Sequence, residues 1–555
     1  MLNLILCWHF HQPDYRDADG HYQLPWTYLH TAKDYADMAA HLEAAPNLCC
    51  VVNFVPTLVE QIDDYAAQFA SGEVRDPLLA HLIEPDLSAL DPAARRHLVK
   101  QCFKLNHATM LEPFPAYRRL YTLWKTVEES GEAGLAYLSG QYLADLVTWY
   151  HLAWTGETVR RAHPDLLEWM ERGEGFTPAD RRALFDLYGG IVAGLIPRYR
   201  YLAERGQIEL SSTPHSHPIL PLLLDFKSAR DARPDLPLPE CPAYPDGESR
   251  AVAHVEAAVA SHQEHFGHPP AGFWPAEGGV SEATLRLFSQ AGVKWTASGE
   301  GVLRHSLVKA GLGLEHKPAW ITTPYRLPGG DTALFFRDDH LSDLIGFEYK
   351  GWHGADAVRH LLHALDELRR HAPGPNPVVS IILDGENAWE YFPYNGFYFL
   401  SELFAELSGH GTIRPTTFSE YLEMHPDSLR ELPQLAAGSW VYGDFTTWMG
   451  DPAKNRGWDW LCAAKQAYDA VLEMLPDDEA ERAEVLLKSC ESSDWFWWFG
   501  DYNPADAVES FDRVYRQKLK RLYQTLRIPA PAYLDAPLCQ GGGPSEAGGV
   551  MRRGG

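Results

Sequence analysis

Seven apolar runs rich in β-branched and aromatic residues recur along the chain, at 2–10, 49–56, 207–213, 271–276, 293–297, 332–337 and 378–383. Stretches of helical period separate them, including 248–266 and 354–371, the latter closed by Pro-Gly-Pro-Asn-Pro. Strands alternating with helices imply a parallel sheet with crossover connections, and about seven such units imply a closed or nearly closed barrel. The region 85–205 is helical in pattern and too long for one crossover, so it reads as an insertion between the second and third strands. After 418 the pattern turns helical, with periodic stretches at 458–474, 478–489 and 507–526.

The expected organisation is therefore an α/β catalytic barrel over 1–418 that includes the insertion, then a helical domain over 419–528 that contributes to the cleft. The glycine-rich remainder, 529–555, reads as a disordered tail. Five prolines between 233 and 247 mark a long irregular connection.

Charge narrows the function. With 48 Lys and Arg against 75 Asp and Glu, the 555-residue chain carries a formal charge of −27, which repels phosphate backbones and anionic lipid. Neither nucleic acid nor a membrane is an expected partner, and no apolar run is long enough to span a bilayer. Eight cysteines without a C-x-x-C pair fit a reduced compartment, and the first residues lack a basic leader segment, so a cytoplasmic location is expected. Aromatic residues, by contrast, reach 12%, which suits the flat apolar faces of sugars.

In a parallel barrel, chemistry collects where strands end and loops converge over the mouth. The first run ends in His9, His11 and Gln12; the third runs into His215 and His217; the fourth ends in Trp274 and Glu277. The sixth ends in Arg337 and Asp338, and the last in Asp384 and Glu386. Glu277 precedes Gly278 and Gly279, and Asp384 precedes Gly385, which lets the backbone come close to a ligand at both points. Two carboxyl groups flanking one bond are what glycoside hydrolysis requires: one is the nucleophile, the other the general acid and then base. His9 and His11 share one face of a strand, and neutral imidazoles can bind sugar hydroxyls. Their spacing with His215 and His217 matches no recognised metal signature, so no metal and no cofactor is expected. Trp389 follows Asp384, and Trp440, Trp448 and Trp458, interleaved with Asp444 and other polar residues, read as a cleft wall.

The segments His9 to Pro13, Gly206 to Leu210, Trp274 to Gly278, Phe336 to Asp338 with Leu341 to Gly346, and Leu383 to Glu390 occur in order. Together they resemble the sequence regions of glycoside hydrolase family 57, over residues 1 to about 520. The resemblance implies an incomplete (β/α)7 barrel with a C-terminal helical domain, and a retaining, metal-independent mechanism on α-glucans. It also implies a glutamate nucleophile at Glu277 and an aspartate acid/base at Asp384, with His11, His215, Asp338 and Trp389 near the scissile bond. The Gln12-Pro13 pair and the segment around Glu277 are more similar to the amylase, amylopullulanase and 4-α-glucanotransferase group than to branching members. Cleavage of α-1,4 bonds, with or without α-1,6 bonds, is thus the first expectation, transfer or branching the second. A metal-dependent deacetylase or mannosidase-like barrel, and a non-catalytic glucan-binding protein, are the remaining alternatives.

Overall fold

A computed structural model describes residues 1–129 and 131–542. Its ten strands form one sheet: β1 (Leu2–Phe10), β2 (Cys50–Phe54), β3 (Ile208–Ser212), β4 (Gly272–Phe273), β5 (Trp295–Ser298), β6 (Tyr325–Arg326), β7 (Ala333–Phe336), β8 (Val378–Asp384), β9 (Ile413–Thr416) and β10 (Arg430–Glu431). Seven are parallel in the order β7-β5-β4-β3-β2-β1-β8. A parallel bridge between Arg337 and Ser380 links the end of β7 to β8, but the two are not paired along their length. This is the incomplete (β/α)7 barrel that the alternation of runs implies. The short strand β6 lies antiparallel on β7, and β9 lies along the first half of β1.

Strand parity builds the interior. In β1, Leu4, Leu6 and Trp8 join the core shared with the surrounding helices, whereas Ile5 and Cys7 join a second cluster inside the barrel with Val51, Trp295, Phe335 and Ile382. A period of two then carries the inward face up to His9, Asn53 and Asp384 as the apolar layers end. Register confirms it, because His9 pairs with Asn53 on one side and with Asp384 on the other.

The helical run between β2 and β3 begins at Pro56, not near 85. Pro56 sits in the first turn of the helix Pro56–Ser71, where a missing N–H costs nothing, so the chain turns helical directly after the strand. The run ends with Pro178–Glu204, started by a Thr177/Asp180 capping box. Beyond 418 the chain is not helical throughout: β10 and an irregular segment precede Pro452–Val471, and that segment carries Trp440 over the barrel mouth. Helices Asp477–Cys490, Ser493–Trp498 and Ala505–Thr525 follow, and their apolar faces belong to the same core cluster as β1. The tail expected to be disordered from 529 is ordered further: Ala532–Asp535 form a helical turn, with Leu534 and Leu538 buried against these helices. Apolar anchors at 534 and 538 outweigh the glycine content nearby, and residues 543–555 lie outside the described residues. Among the described residues no helix is long and apolar enough to cross a membrane.

A buried ion cluster fastens the C-terminal helices to the barrel. Glu491, fully buried, accepts two hydrogen bonds from Arg250 at 2.8 and 2.9 Å, one from Tyr244 at 2.7 Å and one from the His254 ring at 2.7 Å. Burial opposes the Glu491 charge, but His254 and Arg250 outweigh it and hold the carboxyl down at about 2. Because the folded value lies below the unfolded one, this stabilisation is present above pH ~4.3 and is lost as pH falls toward the folded value. Glu491→Ala leaves Arg250 with only part of its compensation in the interior and should cost about 3 kcal/mol. Urea unfolding at pH 7 and at pH 3 measures it: the difference between wild type and variant should shrink at pH 3.

Candidate active site

The two strand-end carboxyls reach one cavity at the barrel mouth. From β8 the ring reaches β4 through β1, β2 and β3 on one side, and through β7 and β5 on the other, so the two strands are opposite. Glu277 and Asp384 both line one cavity of about 750 Å³, within the usual size of a ligand site. His9, His11, Gln12, Arg337, Glu386 and Trp440 line it as well.

Glu277 is held in a strained geometry. Its φ of 57° is left-handed and unusual for a side chain as long as glutamate, which costs of order 1–3 kcal/mol unless neighbours over-determine it. Trp440 supplies that constraint: its backbone N–H donates to the Glu277 carbonyl at 2.9 Å, and its indole N–H donates to the Glu277 carboxylate Oε2, also at 2.9 Å. The Trp440 ring meets Trp274 edge to face at 5.2 Å, and the Arg337 guanidinium lies 5.4 Å over it. Arg337 is itself fixed by Asp339 and Asp343.

Asp384 lies in a different environment. Burial pushes its carboxyl above the usual aspartate range, against the opposing pull of an Asn387 amide at 2.9 Å and of His11 and Arg337 nearby. Glu386 is buried and raised further, first by burial and then by Asp384. Its Oε1 accepts from Gln12 Nε2 at 3.4 Å, and its Oε2 is buried without a hydrogen-bond partner.

Three histidines make the cavity floor. His9 Nδ1 meets Asn53 Oδ1 at 2.7 Å, so Nδ1 carries the proton and Nε2 presents a lone pair toward His217 Nε2 at 3.3 Å. His217 stacks on His11 at 3.8 Å between ring centres, and His11 Nε2 meets Asp494 Oδ1 at 2.8 Å. Burial pulls His9 down to about 3 and His217 well below the usual imidazole range, so both rings are neutral at pH 7. Two neutral rings and a fixed carboxylate can bind hydroxyls; His11, His217 and Asp494 are also close enough to share a metal ion.

Several residues singled out from sequence lie elsewhere. His215 points away from the cavity and bonds Glu60 at 2.6 Å, because left-handed backbone at Ser216 and His217 reverses the strand parity and brings His217 inward instead. Trp274 is fully buried beneath Trp440, and Trp389 is buried against Trp8, its indole N–H spent on the Gly385 carbonyl. Asp338 caps the turn at Leu341 and pairs with Lys317 at 3.2 Å. Asp444 pairs with Arg233 and caps Thr446, while Trp448 and Trp458 pack in the core, the latter stacked on Phe496 at 4.1 Å. Gly385 makes room for the Phe10 ring and not for a ligand. Asp494, Trp497 and Trp498 line the cavity too, although in sequence only an aromatic block marks them: in the run Trp495 to Phe499 the core takes Trp495, Phe496 and Phe499, and the short helix turns Trp497 and Trp498 to the cavity. Trp26 from the connection between β1 and β2, Phe103 and Trp154 from the helical insertion, and Glu390 from the turn after β8 add a wall.

Two carboxyls of unlike environment, set in one aromatic-walled cavity of a seven-stranded barrel, define a glycosidic-bond-cleaving type of enzyme. The sequence profile of glycosyl hydrolase family 57 matches residues 5–433, and the chain belongs to that family. Solved structures agree in fold. A family 57 branching enzyme from Thermococcus kodakaraensis superposes with a TM-score of 0.57 at 15% identity, over 94% of this chain and 90% of that one. The α-amylase AmyC from Thermotoga maritima gives 0.53 at 14% identity, over 95% and 96%. The 4-α-glucanotransferase from Thermococcus litoralis gives 0.50 at 14%, over 94% and 60%. No curated protein matches the sequence significantly.

The double hold on Glu277 predicts a positioning effect. Trp440→Phe removes the indole N–H and retains most of the ring, so it should lower kcat on a maltooligosaccharide about 10- to 100-fold, the cost of one hydrogen bond to a charged group. KM should move far less, and the split between the two constants checks the assignment.

Proposed function

We propose that the chain is a retaining enzyme acting on α-glucans, in which Glu277 attacks the anomeric carbon and Asp384 protonates the departing oxygen. The observation that carries this reading is the contrast across the mouth. Glu277 is clamped by an N–H donor, which fixes the carboxylate plane for attack, whereas desolvation at the half-buried Asp384 raises its carboxyl above the usual aspartate range and favours the protonated form. Asp384 then takes the proton from the acceptor that resolves the glycosyl-enzyme, water or a sugar hydroxyl. A retaining pathway requires the two carboxyls to be about 5–5.5 Å apart.

The substrate class follows from the walls and from the company the fold keeps. Glu277, Asp384, Glu386, Glu390, Asp494 and Asp506 all line the cavity, which disfavours an anionic sugar and suits a neutral one. Trp26, Trp154, Trp440, Trp497 and Trp498 provide faces for pyranose rings. The solved structures with this fold are named as a branching enzyme, an α-amylase and a 4-α-glucanotransferase. Within that range we favour amylase-type hydrolysis, with transfer second, and the C-terminal segment around Trp440 acting as part of the cleft.

Incubation with maltoheptaose is expected to yield shorter maltooligosaccharides whose new reducing ends are first α. Products longer than the substrate would mean transfer, and new α-1,6 linkages would mean branching. Glu277→Gln should abolish labelling by a fluorinated glucosyl donor; labelling at wild-type level would reassign the nucleophile.

The Asp384 environment predicts the pH profile. Since the group must be protonated to expel a sugar, kcat/KM on maltoheptaose should fall as pH rises through its raised value. With an aryl glycoside whose leaving group needs no proton, that alkaline limb should vanish, while Asp384→Asn should retain more activity on the aryl substrate than on maltoheptaose.

A further inference from the structure

We propose that Tyr394 and Tyr398 form a sugar-binding platform outside the catalytic cavity, which takes an outlying stretch of a long neutral glucan chain. The platform rests on the α-glucan reading given above and extends it from short oligosaccharides to polymer. Both rings are more than half exposed, at 56% and 53%. Their centres are 5.5 Å apart and their planes meet at 88°. Two rings at a right angle make a corner, in which one face lies against a pyranose while the other closes on its edge.

Single exposed aromatics need no explanation, but this pair sits on backbone that is costly to form. Tyr394, Asn395 and Gly396 are left-handed in succession, at φ 53°, 53° and 72°, whereas residues with side chains enter that region singly as a rule. Buried partners hold the turn. Asn395 accepts from Lys33 Nζ and donates to Asp37 Oδ2, both at 2.8 Å, and a Cβ at Gly396 would strike the Trp389 ring. Tyr398, in the first turn of the helix Phe397–Leu407, is held as well. Arg161, fixed by Glu157 at 2.8 Å, donates to its hydroxyl at 3.1 Å. Backbone strain of this kind collects at ligand clamps, and rings fixed before binding lose little freedom when a sugar settles on them.

The platform is continuous with the cavity. Tyr391, three residues before Tyr394, lines the cavity, and three residues span at most about 10 Å. Lys33, which anchors Asn395, lies 5.4 Å over the ring of Trp154 in the cavity wall. A glucan that fills the cavity past Tyr391 thus meets the corner next. Arg161, the cation beside the rings, is already paired with Glu157, so a neutral chain fits this face better than an anionic one.

The test uses the full chain in native gels cast with amylose, with hydroxyethyl cellulose as control polymer, and steady-state kinetics on amylose and on maltotriose. Amylose alone should retard the wild type. Tyr394→Asn combined with Tyr398→Ala, asparagine being tolerant of left-handed backbone, should weaken amylose binding about 10-fold, the scale of one good contact. KM for amylose should rise in step, while kcat/KM on maltotriose stays at the wild-type value. The two single variants carry the test should the double variant fail to fold by circular dichroism. Tyr398→Phe keeps the ring and should keep the binding; a loss equal to that of Tyr398→Ala overturns the stacking role. No retardation of the wild type, or amylose affinity unchanged in the double variant, overturns the platform, and a changed oligomeric state with that affinity unchanged assigns the face to a protein contact instead. An equal loss on maltotriose also overturns it. If the wild type turns over no α-glucan but is retarded through these tyrosines, the proposed function fails and the platform stands. If it turns over amylose and the double variant does so with the same KM, the platform fails and the function stands.

Discussion

The pairing of β1 with β2 on one edge and β8 on the other is the constraint on which the active cleft rests. Because both pairings are parallel and in register, one residue of β1 fixes the height of its neighbours: His9 stands level with Asn53 and Asp384. A slip of one residue would exchange Ile5 and Cys7 with Leu4, Leu6 and Trp8, placing indole and isobutyl groups in an interior that Trp295 and Phe335 already fill. Apolar packing low in the barrel therefore sets the register, and the register delivers polar groups to the top. Core and chemistry are consecutive layers of one pattern.

That layering explains how much was legible in the sequence. β1 spans 2–10, the whole of the first largely apolar run, and Glu277, Asp384, His9, His11, Gln12, Arg337 and Glu386 reach the cavity because each lies at or just past a strand end. Reading failed where the backbone leaves the strand. The residues after β3 take left-handed conformations, so His217 and not His215 arrives at the floor. Aromatic side chains were the least legible. Trp389, Trp448 and Trp458 lie near polar residues in sequence but fill the core, while Trp497 and Trp498 sit in an apolar run and face the cavity. A large apolar side chain satisfies either place, and only the turn of its helix decides between them.

The C-terminal segments do more than cover the mouth. Trp440 holds Glu277 by two hydrogen bonds, Ser493 holds His217 by two, and Asp494 holds His11. Each target has either unusual backbone or a ring that needs orientation, and each clamp comes from outside the barrel. The barrel alone supplies the residue types, but their geometry depends on chain more than 150 residues away: Trp440 is separated from Glu277 by 163 positions and Ser493 from His217 by 276.

This division of labour has an energetic logic. A left-handed glutamate and a left-handed histidine each raise the energy of the folded barrel by of order 1–3 kcal/mol. Neither would persist without an external hold, so the strained site and the docked helices are coupled states. The buried Glu491 cluster strengthens that coupling, since it ties Arg250, His254 and Tyr244 to the segment that continues into Ser493 and Asp494. His254 also hydrogen-bonds through its backbone carbonyl to the His215 N–H at 3.0 Å, so the loop carrying His217 is gripped from both of its neighbours. Docking energy from the C-terminal helices is in this way transmitted through one short loop to the floor of the cleft, and preorganisation at Glu277 and His217 is the form in which it is stored.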